Sequence, residues 1–142
     1  MTDTAAPTFE DRVIADMRAH DGNVTTGPLA GHPLLIMTST GAMTGRPRRA
    51  VVTWSKDGDD FIVAGTAGGS RTDPLWLRNL AANPHVTIER GNRVFEATAT
   101  IVPEPDRTRL WERHVEALPW FADYPRKSGR QIPLARIAPT PS

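Results

Sequence analysis

Two tight turns, each set between segments with strand character, constrain the fold of this chain most strongly. Asp57-Gly58-Asp59 separates strand candidates at 48–54 and 60–64. Gly91-Asn92 separates a second pair of segments, in which apolar and polar residues alternate. Turns this short join antiparallel neighbours, because a parallel pair needs a crossover of about a dozen residues or more. The sequence therefore predicts hairpins and not a series of β-α-β units.

Helices are predicted on either side of these hairpins. Thr8 and Asp11 form the pattern of a capping pair at the start of a first amphipathic helix. A second amphipathic helix follows Pro103-Glu104-Pro105, and further strand candidates lie at 34–37 and 132–137. About six strands and three or four helices predict an α+β, mainly β fold. We expect an antiparallel barrel or sheet with helices packed at its openings.

The segment from Ala64 to Pro84 links an apolar strand to a short apolar helix. Small polar residues fill 65–70, and Asp73 with Pro74 has the form of a helix N-cap followed by a first helical position. Backbone N–H groups at such a helix start favour an anion. A tight crossover without a ligand explains the same residues equally well, so the local pattern leaves both interpretations open.

The composition excludes several functional classes. A chain of 142 residues is expected to form one domain, residues 1–142, with residues 1–7 disordered. The absence of cysteine excludes disulfides, thiolate zinc sites and cysteine nucleophiles. A net charge of +1 argues against nucleic-acid binding. No signal-peptide pattern and no apolar run of membrane-spanning length occurs, so we expect a cytoplasmic protein without stable membrane insertion.

The residue patterns of the common catalytic sites are missing from the sequence. His20, His32, His85 and His114 are scattered without metal-ligand spacing, so no metal site is predicted. The sequence contains neither a GxSxG turn nor a phosphate-binding GxxxxGK loop. If the chain is an enzyme, a cofactor carries the reaction, and the protein supplies position and electrostatics.

The segment 38–49 combines hydroxyl groups, turn glycines and arginines. Arg46, Arg48 and Arg49 lie close together in it. Such a cluster can hold a phosphate group, and each charge-assisted hydrogen bond contributes about 1.5–3 kcal/mol. The alternative is a solvated end of a hairpin.

Four segments, taken in order, carry a resemblance to one family. They are LLIMTSTGAMTGRPRR, DGDDFIVAGTAGGSRTDPLWLRNLAANPHVTI, LWERHVEALPWFADYP and QIPLARI. Their order and spacing resemble the deazaflavin-dependent nitroreductases, which are actinobacterial reductases that use coenzyme F420. The resemblance implies a split β-barrel with flanking helices, related to the FMN-binding split barrels, and reduced F420 as the cofactor.

The resemblance also implies the cofactor contacts. The tail phosphate and oligoglutamate would lie beside the turn after the first strand and along the second strand, at Ala42, Met43, Thr44, Arg48, Arg49, Ala50, Val51, Val52 and Thr53. The ring and the closing helix would contribute Ala64, Gly65, Thr66, Ala67, Leu75, Trp76 and Asn79.

Two departures from the family pattern reduce the positive charge around that tail. Many relatives have Arg-Lys where this chain has Ala42-Met43, and Lys where it has Ala67. We expect nearby arginines to compensate, namely Arg46, Arg48, Arg49 and Arg71.

The resemblance places the hydride acceptor against a row of large side chains. The residues predicted to bind it are Trp76, Leu118, Trp120, Phe121 and Tyr124. Tyr124 or water would supply a proton. For the aromatic residues, simple core packing is the alternative interpretation.

The predicted reaction is hydride transfer from reduced F420 to an electron-poor small molecule, by positioning of the two reactants. The candidate acceptors are a quinone, an activated enone or lactone, and a nitro compound. Two alternatives stay open: an FMN-dependent split-barrel oxidoreductase, and a carrier that binds F420 without turnover. The sequence also leaves open whether the protein is a monomer or a homodimer.

Overall fold

Six strands and four α-helices lie in residues 8–27, 29–66 and 71–141, which are the residues that the computed structural model describes. The expectations for residues 1–7 and for Ala67 fall outside these ranges. The strands are β1 (Leu34–Thr40), β2 (Pro47–Asp57), β3 (Asp60–Ala64), β4 (His85–Arg90), β5 (Arg93–Ile101) and β6 (Leu134–Pro139). The helices are α1 (Phe9–Ala19), α2 (Leu75–Ala82), α3 (Asp106–Ala117) and α4 (Tyr124–Ser128), with a 3-10 helix at Pro119–Asp123.

The strands close into a barrel in the order β1-β2-β3-β6-β5-β4, and every pairing is antiparallel. Both predicted hairpins are present: β2 pairs with β3 up to Asp57 and Asp60, and β4 pairs with β5 up to Arg90 and Arg93. Gly58 has a φ of 63°, a left-handed conformation that glycine adopts without steric cost. The split-barrel fold with flanking helices is confirmed.

The predicted cap at the start of α1 is present, whereas the predicted cap at the start of α2 is not. Thr8 and Asp11 form the expected capping box, in which each side chain accepts from the other residue's backbone N–H. The expected N-cap role of Asp73 is wrong, because Pro74 holds the N-cap position of α2 and no side chain caps it. The Asp73 carboxylate instead accepts from Arg130 Nη1 at 2.7 Å. Asp73 therefore pairs with an arginine distant in sequence and does not cap the helix.

The barrel interior and one end of it share a single hydrophobic cluster. Leu35, Val63 and Ile137 are completely buried among the strands. Trp76 and Leu77 of α2 pack into the same cluster, so α2 closes that end of the barrel. Separate clusters pack α3 with the 3-10 helix outside β3 and β6, and α1 outside β1.

One stretch of β2 has a strand on one side only. Residues 47–53 pair with β1, whereas the pairing with β3 begins at Trp54 and Val63. No strand in the described ranges pairs with the other edge of 47–53. The Trp54 N–H points to the β1 side, where it donates to the Pro33 carbonyl. Strand geometry alternates, so the N–H groups of residues 49, 51 and 53 point to the open edge.

Candidate functional site

A groove follows the open edge of β2 and consists of two cavities that meet. Their volumes are about 410 Å³ and about 510 Å³. Glu10, Ala50 and Trp76 line both cavities. We call the first the cationic cavity, because Arg48, Arg49 and Arg78 line it, and the second the aromatic cavity, because Trp76, Trp120, Phe121 and Tyr124 line it.

The cationic cavity is built on the turn after β1. The Ala42 N–H donates to Asn79 Oδ1 at 2.9 Å, and Asn79 is itself buried in α2. A Cβ atom at Gly41 would lie 2.8 Å from Thr44 Oγ1 and 3.2 Å from the Arg46 carbonyl oxygen, so a larger residue would have to displace part of the turn. Asn79 and Gly41 therefore fix residues 41–44 against the helix.

The arginines of the cationic cavity differ in whether they have partners. Arg48 and Arg78 form no ion pair within the described part of the chain. Arg49 Nη2 lies 3.9 Å from Asp11 Oδ1, at the edge of ion-pair range. Arg46 and Arg71, which the sequence predicted to add positive charge, line neither cavity. Arg78 was not predicted, and it lies beside Asn79 on α2.

A carboxylate from α1 occupies the point where the two cavities meet. Glu10 Oε2 accepts from the Val51 N–H at 3.4 Å, on the open edge of β2. This bond is long and therefore weak. It shows that the open edge presents a backbone donor which an anionic or carbonyl oxygen can reach.

The aromatic cavity is closed by rings that contact one another. Phe121 and Tyr124 meet edge-to-face with centroids 5.1 Å apart, and Trp120 lies 5.8 Å from Phe121. His32 stacks on Trp120 at 4.6 Å with an interplanar angle of 23°. His32 was assigned no function from the sequence, since a lone histidine carries no motif.

The loop between β3 and α2 is held from below by Arg130. Its Nη2 donates to the carbonyls of Gly65 at 2.8 Å and Thr66 at 3.0 Å, and its Nη1 donates to Asp73. A Cβ atom at Gly65 would lie 2.6 Å from Leu77 Cδ1, so the close packing of this loop on α2 requires glycine. No local pattern indicates this role of Arg130, because its partners lie 57 and 65 positions away in the sequence.

A buried histidine supports the aromatic cavity from behind. His114 is fully buried, its Nδ1 lies 2.6 Å from Ser55 Oγ, and its ring meets Phe121 edge-to-face at 4.6 Å. Nε2 has no hydrogen-bond partner in the described residues. Burial lowers the pKa of His114 to about 4, so the ring is neutral near pH 7.

Most of the predicted site residues lie together in this groove. The cationic cavity contains Ala42, Met43, Thr44, Arg48, Arg49, Ala50, Leu75, Trp76 and Asn79. The aromatic cavity contains Ala50, Val51, Val52, Thr53, Ala64, Thr66, Trp76, Trp120, Phe121 and Tyr124.

Two predicted residues lie elsewhere. Gly65 is buried beneath the groove, where its N–H donates to the Pro133 carbonyl. Leu118 lines a different cavity of about 490 Å³ together with Trp54 and Arg113, and it is buried in the α3 cluster. Ala67 falls outside the described residues.

No group of three or more His, Asp or Glu side chains within the described ranges could hold a metal ion. No described helix combines the length and the apolar character needed to cross a membrane.

Comparison with known proteins identifies relatives of this chain. The family model for F420H2-dependent quinone reductases matches residues 11–138. An F420H2-dependent quinone reductase of Mycobacterium tuberculosis is 36% identical over 105 residues, which cover 72% of this chain and 70% of that protein. A solved structure of an F420H2-dependent reductase has a TM-score of 0.66 and 30% identity, covering 74% of this chain and 93% of that chain.

More distant structures share the fold. An FAD-binding protein of Mesorhizobium loti has a TM-score of 0.54 and 14% identity, covering 80% of this chain and 83% of that chain. At this identity the likeness concerns the barrel alone.

Proposed function

The chain belongs to the F420H2-dependent quinone reductase family, and from that premise we propose that it reduces a quinone bound in the aromatic cavity. The family implies reduced coenzyme F420 as the cofactor, as the sequence resemblance predicted. One observation carries the proposal: a single groove along an unpaired strand edge is cationic at one end and aromatic at the other.

The residues of the groove fit the chemistry of F420. Its tail is anionic, and the cationic cavity provides Arg48 and Arg78, which have no ion-pair partner among the described residues, together with Arg49. Its ring is planar and carries amide-like groups, and the open edge of β2 offers a row of backbone donors. The bond from the Val51 N–H to Glu10 supports this fit, since it shows an oxygen acceptor already bound on that edge.

The protein's contribution to the reaction is positioning and exclusion of water. When F420H2 is bound, it supplies a hydride to the acceptor. Trp76 lines both cavities, and Phe121 and Tyr124 also line the aromatic cavity. Apolar walls place a flat acceptor parallel to a flat cofactor. Holding the two reactants in this alignment can remove a large part of the activation barrier.

A quinone suits the aromatic cavity for a further reason. A quinone is a flat ring with two carbonyl oxygens, and rings that stack or meet edge-to-face with aromatic side chains gain about 0.5–1.5 kcal/mol per pair beyond burial. Activated enones, lactones and nitro compounds share the flat, electron-poor character, and they stay as alternative acceptors. We also propose that residues 1–142 form one domain, which the match over 11–138 supports.

A turnover assay tests the proposal. F420H2 is mixed with purified protein and a soluble quinone, and the formation of oxidised F420 is followed by its absorbance, with nitro and enone acceptors in parallel. We expect quinone-dependent oxidation that requires the protein. Binding of F420 without acceptor-dependent oxidation would favour the carrier, and retention of FMN with no F420 binding would favour the flavin-dependent alternative.

A further inference from the structure

His32 lies in the wall of the aromatic cavity with hydrogen-bonding capacity that the described residues leave unused. It lines the cavity, and its Nδ1 is shielded from solvent without a partner. No described residue forms a hydrogen bond with Nε2 either. Buried polar atoms without a partner are rare in native proteins, so packing alone does not explain a histidine at this position in the cavity wall.

The ring of His32 is held in place without hydrogen bonds. Its face lies on the indole of Trp120, with centroids 4.6 Å apart. Trp120 in turn lies against Phe121 in the same wall. Stacking fixes the plane of the imidazole. Nδ1 is shielded, whereas Nε2 is not among the shielded atoms and is the nitrogen that a ligand can reach.

Reduction of a quinone needs a proton as well as a hydride. The acceptor receives two electrons with the hydride, and one oxygen becomes negative. Three titratable side chains line the aromatic cavity among the described residues, namely Glu10, His32 and Tyr124. The donor is therefore one of these three, or water.

The structure favours the imidazole among the three. Glu10 Oε2 already accepts from the Val51 N–H, so this carboxyl group is directed to the strand edge. As a class, phenols are weaker acids than imidazolium groups, so an imidazole is the better proton donor of the two. Imidazole gains and loses a proton between about pH 5 and 8, so it can be recharged by water after each turnover.

We propose that His32 is a catalytic residue of this site, the donor of the proton that the reduced acceptor oxygen takes up. This inference rests on the proposed function. The oxygen–hydrogen bond of the product forms as the imidazolium N–H bond breaks, and the ring then takes a proton from water. With the hydride from F420H2, the quinone gains two electrons and two hydrogens and becomes a hydroquinone.

Other titratable and charged groups lie near His32. Glu10 and Tyr124 line the aromatic cavity with it. On the other side of the ring, a smaller cavity of about 140 Å³ is lined by His32 together with Asp21 and Arg90. The pH profile therefore reports on this whole set, and the test compares variants of one residue within it.

The test measures quinone turnover, F420 binding and folding of three proteins. His32→Phe keeps an aromatic ring against Trp120 and removes the proton. His32→Ala leaves a space that added imidazole can enter. His85→Gln is the matched control, since His85 is an exposed histidine on β4 that pairs with Glu96, outside the groove.

We expect His32→Phe to lower kcat about 100-fold, the lower end of the range for general acid catalysis, with F420 affinity within about twofold of wild type. The fall of kcat with rising pH should disappear in this variant. Added imidazole should restore part of the turnover of His32→Ala and should leave His85→Gln unchanged. If His32→Phe does not fold, the imidazole rescue decides the question.

Two outcomes overturn the proposal in different ways. A His32→Phe enzyme with wild-type kcat and an unchanged pH profile refutes the proton-donor role and leaves the proposed function intact. So does a His32→Ala enzyme that imidazole fails to rescue. A wild-type protein that binds no F420 and oxidises no F420H2 with any quinone refutes the proposed function and this inference together.

Discussion

The cationic cavity and the aromatic cavity share a wall but are built in opposite ways. The cationic cavity is lined mainly by exposed side chains, including Arg48, Arg49 and Met43, around a turn that Asn79 fixes. The aromatic cavity is lined by rings that pack on each other and on the buried His114. The first can therefore change its charge with little effect on the fold, whereas Trp76 and Phe121 of the second belong to the hydrophobic core. We therefore expect substitutions in the first to change cofactor affinity and substitutions in the second to change turnover or stability.

Trp76 lines both cavities, so its removal should affect stability, cofactor affinity and turnover at once. Trp76→Ala should lower the free energy of unfolding by about 3–5 kcal/mol, because the side chain is buried in the barrel cluster. It should also weaken F420 binding and quinone turnover together. Urea denaturation and F420 titration measure these effects.

The control for that variant is Trp111→Ala. Trp111 is a half-buried tryptophan on α3 that packs behind Phe121, away from the cationic cavity. It should lose stability while keeping wild-type F420 affinity. If Trp76→Ala also kept wild-type affinity, the shared wall would not contribute to cofactor binding.

His114, which packs on Phe121 behind the aromatic cavity, should make the free energy of unfolding sensitive to acid. The unfolded chain takes up this proton below about pH 6.5, whereas the folded chain takes it up only below about pH 4. Stability therefore falls as the pH drops through that interval, by up to about 3 kcal/mol. Urea denaturation at a series of pH values should show this slope in wild type.

The variant His114→Gln isolates that contribution. It has no titrating ring, so its stability should vary less between pH 6.5 and 4 than that of wild type, although it is less stable at pH 7. His85→Gln should keep the wild-type slope. Equal slopes in wild type and His114→Gln would show that burial of this ring does not govern the acid response.

The double variant Arg48→Ala with Arg49→Ala should separate cofactor affinity from turnover. We expect about 10–100-fold weaker F420 binding, since each lost charge-assisted bond is worth about 1.5–3 kcal/mol before solvent screening reduces it. The salt dependence of binding should weaken, and kcat at saturating F420H2 should change little. Titration at several salt concentrations measures both.

A variant with the same change of net charge controls for general electrostatics. Arg93→Ala with Arg126→Ala removes two exposed arginines outside both cavities. Its F420 affinity should stay close to wild type. Unchanged affinity in the Arg48 and Arg49 variant would mean that the tail binds elsewhere.

The smallest expected effect comes from Glu10. Its carboxylate lies on the Val51 N–H at the junction, where a bound cofactor would compete for the same donor. Glu10→Gln should therefore raise F420 affinity about two- to fivefold, which corresponds to less than about 1 kcal/mol. Glu112→Gln, an exposed change on α3, is the control. Weaker binding by Glu10→Gln would show that the carboxylate contacts the cofactor favourably.

Local patterns predicted the fold well, because hairpin turns and caps depend on neighbouring residues. The turn at Gly58 and the capping box at Thr8 needed only a few positions of sequence. Asp73 was misassigned because Arg130, far along the chain, binds its carboxylate. A prediction from neighbouring residues cannot detect a partner so distant in sequence.

The candidate site was only partly predictable for a related reason. The resemblance supplied residues along β2 and α2, which lie in the groove. It could not supply Arg78, Glu10 or His32, which line the cavities through the packing of separate elements. Helical spacing singled out Leu118 as apolar but did not indicate that it faces another cavity.

The unpaired edge at residues 47–53 has a consequence beyond ligand binding. A strand with free backbone donors and acceptors is a template onto which a strand from another molecule can add. The acidic first turn of α1 lies against this edge, and a buried negative charge is unfavourable in any growing sheet. We therefore expect helix α1 to disfavour strand addition at this edge, which is the same edge where we propose that the cofactor binds.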